Sequence, residues 1–159
     1  MLKNTRIPMD KDYIEALGTA VYSFAYYEWT IIYIFENLKN GYVGIYSRNK
    51  TPKTLGKVFK DFEELIVGNN DAILINCKDT FRELIDERNA LIHGHPCTSK
   101  DGKQVLNYQA STDKKIHDLQ WDIDKLNSFV KKNNDAEIIA ADSLQRFYKP
   151  INGGKYGTN

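Results

Sequence analysis

Tyr13 to Leu38 reads YIEALGTAVYSFAYYEWTIIYIFENL, and its apolar residues recur at helical spacing. Leu17, Phe24, Ile31 and Leu38 stand seven apart, and Ile14, Val21 and Phe35 form a second line beside them. This pattern predicts an amphipathic helix of roughly seven turns, opening behind Pro8 and Asp10 and ending near Gly41. The stretch also holds Glu15, Glu28 and Glu36. Three carboxylates argue against a membrane span and for a core helix, whose natural partners are other long helices. Glu28 falls on the second apolar line, where a carboxylate needs a partner; Arg88 is one candidate, and a tolerated position at the edge of the stripe is the alternative.

Downstream, Gly41 to Lys60 opens as loop and has no acidic residue, while carrying Arg48, Lys50, Lys53, Lys57 and Lys60. A second helix is expected from about Thr54, with Leu55, Val58, Phe59, Phe62, Leu65 and Ile66 on its apolar face and Gly68-Asn69-Asn70 closing it. Asp71 is placed to cap a third helix with Leu74, Phe81, Leu84, Ile85, Leu91 and Ile92 inward. Gly94 and Pro96 stop that helix, so His93 falls at its end. Asp101-Gly102 signals a turn, and a small hairpin is expected from about Cys97 to Tyr108. A last helix follows from about Asp122 to Tyr148, with Leu126, Phe129, Val130, Ile138, Ile139, Leu144 and Phe147 as its apolar face and a break or kink at Asn133-Asn134. The expected fold is all-α: a bundle of about four to five helices with a β-hairpin inserted behind the third. One domain over residues 1–149 and a flexible glycine-containing tail over 150–159 account for the 159 residues.

Ten tyrosines, seven phenylalanines and 42% apolar residues argue against disorder. A net charge of +1 gives no global electrostatic case for nucleic acid, so any such case must be local. Two cysteines, Cys77 and Cys97, in a chain able to build its own core suggest a reducing compartment. With no apolar segment behind Met1-Leu2-Lys3, the reading is a cytoplasmic protein without a signal peptide.

The third helix carries Arg88-Asn89-Ala90-Leu91-Ile92-His93 at its end. Asn89 and His93 are four apart and share a face; Arg88 lies about 100° away, with a side chain long enough to reach the same cleft. A fixed cation, an amide and an imidazole suit phosphodiester cleavage. His93 can take a proton from a ribose 2′-hydroxyl or give one to the leaving oxygen. Arg88 can grip the phosphate and offset its growing charge. Asn89 can bond the phosphate or hold the imidazole in one tautomer. RNA brings its own nucleophile, so this chemistry needs no metal or cofactor. The acid-free cations Arg48, Lys50, Lys53, Lys57 and Lys60 are candidate phosphate contacts, with Tyr42 and Tyr46 as base-stacking candidates and Lys100, Lys103, Lys114 and Lys115 as a looser cluster.

Phe81 to Gly94, FRELIDERNALIHG, resembles the signature of the HEPN domain superfamily: an Arg, four to six residues, then a His, with a polar residue after the Arg, here Asn89. Tyr27-Glu28-Trp29 in a long aromatic first helix adds to the likeness. The resemblance implies a helical bundle that forms a homodimer with the two motifs facing one cleft. It also implies a metal-independent endoribonuclease of toxin–antitoxin, antiphage or RNA-processing systems, with Arg88 and His93 catalytic, Asn89 auxiliary, and an antitoxin protein as a partner. Some members are non-catalytic, so a nucleotide- or protein-binding module is the alternative.

Simpler roles compete for each residue. His93 suits a helix C-cap, and Arg88 suits a surface ion pair with Glu87 or Glu83. His93, His95 and Cys97 alternate, but His-x-His-x-Cys is not a common zinc spacing and Pro96 restricts it. His95 is read instead as a supporting residue at the site edge. The lysine-rich run reads equally as a solvated surface.

Overall fold

The computed structural model describes residues 10–48, 54–110 and 118–147. In chain order these form α1 (Lys11–Leu38), α2 (Tyr42–Arg48), α3 (Leu55–Leu65), α4 (Ala72–Ile92), β1 (His95–Thr98), β2 (Gln104–Gln109), β3 (Asp118–Trp121) and α5 (Ile123–Phe147). The molecule is therefore the expected helical bundle with a small sheet behind the motif helix. Two elements differ from expectation. Tyr42–Arg48, read as loop, is a short helix, and the hairpin is extended by β3 into a three-stranded antiparallel sheet of order β1-β2-β3. Pro8, Lys50, Lys53, Lys114, Lys115 and the tail 150–159 lie outside the described residues.

Asp10 caps α1, its carboxylate accepting from the N–H groups of Asp12 and Tyr13. The 28 residues of α1 span about 42 Å. Along it, Phe24, Ile31 and Phe35 are buried as expected, but a buried line of Tyr13, Ala20, Tyr27 and Ile34 runs one residue earlier than Ile14 and Val21 suggested. Val21 is exposed, and Glu28 sits half-buried at the edge of the stripe rather than on it.

Aromatic rings carry the core. Trp121 of β3 meets Phe129 of α5 edge-on at 5.4 Å, and Phe129 stacks on Phe24 of α1 at 6.3 Å. Phe24 stacks on Phe81 of α4 at 6.4 Å, and Phe81 touches Phe62 of α3 at 6.5 Å. Phe62 packs on Phe35 at 4.8 Å, whose ring meets Tyr42 of α2 edge-on at 4.9 Å. The separations and tilts are those that ring quadrupoles favour.

The Asn133-Asn134 pair does not interrupt α5. Asn133 is fully buried and its amide donates to the Ser23 hydroxyl of α1 at 3.1 Å, so the polar residue is spent on helix pairing. Ala136, Ala140 and Ser143 are buried with it, whereas Ile138 and Ile139 are exposed, contrary to the expected face. Small side chains let α5 lie close along α1. Ile92 is likewise exposed at the end of α4. At the other end of α1, the Tyr13 hydroxyl donates to the Trp121 carbonyl at 2.9 Å and accepts from the Leu106 N–H at 2.8 Å. Leu106 and Trp121 are register partners of β2 and β3, so this one hydroxyl ties the sheet to the bundle.

Asp71 caps α4, accepting from the N–H groups of Ile73 at 2.8 Å and Leu74 at 3.2 Å. Asp71→Ala should destabilise the protein by about 1 kcal/mol, measured by urea unfolding; an unchanged midpoint would deny the cap any part in holding the motif helix.

Candidate functional site

α4 carries Arg88, Asn89 and His93 at its C-terminal end. Its inward residues Phe81, Leu84, Ile85, Ala90 and Leu91 are buried, which leaves Arg88 and Asn89 half-buried at the rim of the core. The Arg88 guanidinium donates from Nη1 to Oδ1 of Asn89 at 3.2 Å. Asn89 therefore braces the cation, a role the sequence reading assigned instead to phosphate or imidazole.

His93 is the C-cap of α4, with φ −94° and ψ 3°, and its backbone N–H donates to the Asn89 carbonyl at 3.0 Å. Its ring is exposed, as is that of His95 on β1. The His93 backbone bond is one any N–H makes and does not amount to the side-chain cap expected as the simpler alternative. It leaves the imidazole at the surface, one turn beyond the Arg88–Asn89 pair.

Gly94 sets the path out of the helix. A Cβ at this position would stand 3.1 Å from Leu106 Cβ and 3.3 Å from the Leu91 carbonyl oxygen. The absent side chain lets β2 press against the end of α4 and fixes where His93 stands.

Glu87 does not pair with Arg88. Its buried carboxylate takes both Lys125, at 3.1 Å, and Lys132 of α5. This cluster locks α4 to α5, and a buried carboxylate with two cations has its desolvation cost offset. The neighbouring acid that does sense Arg88 is Glu28 of α1. Burial pushes the Glu28 carboxyl above its usual range, while a hydrogen bond from Tyr46 and the charge of Arg88 pull the other way. The Tyr46 hydroxyl donates to Glu28 Oε1 at 2.7 Å, and its own acidity is suppressed by burial and by Glu28, with Arg88 opposing. The Tyr46 ring meets Trp29 edge-on at 5.5 Å. The expected link between Glu28 and Arg88 is therefore electrostatic, with Tyr46 of the unforeseen α2 as the group that directly holds the carboxylate.

The other expected residues scatter. Tyr42 is a core residue, its hydroxyl on Asp61 at 2.5 Å, so it offers no face for base stacking. Lys57 and Lys60 are exposed on α3, and Lys60 lies 3.9 Å from Glu64. Lys60 shares a shallow groove with Arg82 and Lys78. Arg82 precedes Arg88 by six residues, about 240° around α4, so this groove opens on another face. The side chain of Arg48 is not among those described. Lys100 and Lys103 flank the β1–β2 turn, at the far end of β1 from His95.

Cys77 is buried, its thiol pushed up to about 11, chiefly by burial. Among the described residues no three His, Cys, Asp or Glu side chains gather to hold a metal, and no helix is long and apolar enough to cross a membrane.

No protein-family model, curated protein or solved structure matches the chain. The site must be read from its own geometry.

Gly94→Ala should cost roughly 1 to 3 kcal/mol, because the added methyl has to push β2 off the helix end. Equilibrium unfolding measures this, and a variant as stable as the wild type would show the sheet to yield freely at that contact.

Proposed function

We propose that the chain is a metal-independent endoribonuclease of HEPN type, with Arg88, Asn89 and His93 as its centre. The observation that carries the reading is the Arg88–Asn89 pair: a half-buried guanidinium braced by the amide beside it, one helical turn from an exposed imidazole. A brace costs entropy before substrate arrives and so suits a group that must meet charge developing on a phosphate. In this reaction the ribose 2′-oxygen attacks phosphorus and the bond to the 5′-oxygen breaks. The products are a 2′,3′-cyclic phosphate and a free 5′-hydroxyl. His93 takes the proton from the nucleophile or supplies it to the leaving oxygen, and Arg88 meets the equatorial charge.

The proposal extends to a homodimer. Tyr22, Tyr26, Trp29 and Tyr33 follow helical spacing along one side of α1 and are 72%, 58%, 39% and 49% exposed. Ile45 of α2 is exposed as well. So many large rings in water on one helix call for a covering surface. A second copy, burying this stripe beside Trp29 and Tyr46, would bring two Arg88 sites toward one cleft. From the resemblance we also propose a toxin–antitoxin or antiphage setting, with an antitoxin protein as a further partner.

A second reading has one observation in its favour. His93 occupies the C-cap position of α4, where a basic side chain suits the carbonyl end of the helix dipole. On that reading the module is non-catalytic and binds a nucleotide or a protein.

Cleavage of varied RNAs in EDTA separates the two. His93→Ala and Arg88→Ala should each lose at least roughly a hundredfold in rate with the helical circular dichroism retained. Variants that cleave at the wild-type rate would remove the enzyme reading; loss of fold in His93→Ala would favour the cap. Light scattering tests the dimer: the wild type should run as a dimer, and the double variant Tyr22→Asp, Tyr26→Asp as a folded monomer. A monomeric wild type would end that part of the proposal.

A further inference from the structure

We propose that Tyr46 is a positioning residue of the Arg88 site, holding in place the Glu28 carboxylate whose charge acts on the guanidinium. The inference rests on the ribonuclease reading above and extends it to a residue outside the motif.

The case begins with how firmly Tyr46 is placed. Gly41, at φ +87°, turns the chain out of α1 in a conformation that favours glycine. Glu36 then clamps the start of α2: its two carboxylate oxygens accept from the backbone N–H groups of Gly41, at 2.8 Å, and Val43, at 2.7 Å. Tyr42 anchors the same turn through its ring on Phe35 and its hydroxyl on Asp61 of α3. One turn further on, Tyr46 projects back to α1. Its ring packs against Trp29, and its hydroxyl reaches Glu28. A seven-residue helix tied down at so many points presents one side chain in one place.

Glu28 stands between this tyrosine and Arg88. Among the described residues, Tyr46 of α2 reaches it by a hydrogen bond and Arg88 of α4 acts on it by charge. The acids on the other neighbouring helices are directed elsewhere: Glu137 of α5 accepts from Thr30 at 3.3 Å, and Asp61 of α3 accepts from Tyr42. Among the described residues, burial, the Tyr46 phenol and the Arg88 guanidinium act on the charge of Glu28. An ionised Glu28 draws Arg88 toward α1, and a neutral one releases it. Tyr46, which bonds best to the ionised form, favours the drawn state and so governs where Arg88 waits for phosphate.

The conservative variant Tyr46→Phe keeps the ring on Trp29 and removes the hydroxyl alone. RNA cleavage in EDTA is compared across wild type, Tyr46→Phe, Glu28→Gln and the double variant, each of verified fold. Tyr46→Phe should lose roughly tenfold in kcat/KM, the scale of one hydrogen bond to a charged group. The double variant should lose no more than Glu28→Gln, since both act through one carboxylate. The acid limb of the pH profile should move to higher pH in Tyr46→Phe, because losing the hydroxyl removes a pull that lowers the Glu28 pKa. In Glu28→Gln, adding Tyr46→Phe should no longer move that limb. Additive losses, or a Tyr46→Phe enzyme with wild-type rate and profile, would overturn the proposal. A carbon-detected NMR titration of Glu28 gives a readout that needs no turnover. Its midpoint should rise in Tyr46→Phe and in Arg88→Gln; a midpoint unmoved in Tyr46→Phe refutes the coupling. Wild-type protein that cleaves no RNA would sink the ribonuclease reading, and the titration would still decide whether Tyr46 sets the state of Glu28.

Discussion

The structure depends on a continuous file of aromatic rings, Trp121–Phe129–Phe24–Phe81–Phe62–Phe35–Tyr42, that passes through all five helices described and the last strand. Each ring buries a large apolar area, and each of the five inner rings touches rings of two other elements. The helices α1, α3, α4 and α5 cannot shift along their axes without breaking two of these contacts at once. The file also explains where the functional residues fall. Phe81 fixes the rotation of α4 and so puts Arg88 and Asn89 at the rim, while Tyr42 fixes the start of α2 and so sends Tyr46 to Glu28.

Much of this was legible in the sequence where hydropathy and capping chemistry agree. Asp10 and Asp71 are caps, Val58, Phe59 and Phe62 face inward, and Gly94 follows the end of the motif helix. Hydropathy misled where shape decides. Ile14 and Val21 are more apolar than Tyr13 and Ala20, yet the tyrosine hydroxyl is needed in the sheet and alanine is small enough for close approach. The same holds on α5, where Asn133, Ala136 and Ala140 are buried and Ile138 and Ile139 are not. The α2 helix is short and holds two residues of low helix propensity, Gly44 and Ser47, so its fixing by Glu36 and Asp61 leaves no local periodic signal. β3 is four residues long, too brief for its alternation to stand out.

Of the candidate site, the place of the motif at the end of α4 was readable, whereas the expected pairing of Glu28 with Arg88 is an influence of charge alone, the carboxylate's hydrogen bond coming from Tyr46. Periodicity could not supply that phenol. The basic run was readable as charge but not as geometry. Lys57 and Lys60 lie on a helix whose groove opens around Arg82, and a count of cations along the chain carries no information about which face they share.

The pairing of α1 with α5 has a consequence for how the molecule comes into being. These two helices pack more extensively on each other than on any other element, and the bond between Asn133 and Ser23 closes a separation of 110 residues. Contacts so distant along the chain are won late, because the entropy of closing the loop is spent before they form. On the ribosome, α1 emerges well before α5 exists to cover Ala20, Phe24 and Ile31. Until α5 arrives the nascent chain displays a long aromatic helix to the cell, a surface that invites chaperones or a neighbouring chain. The order of elements thus delays closure of the bundle until almost all of the described chain has been made.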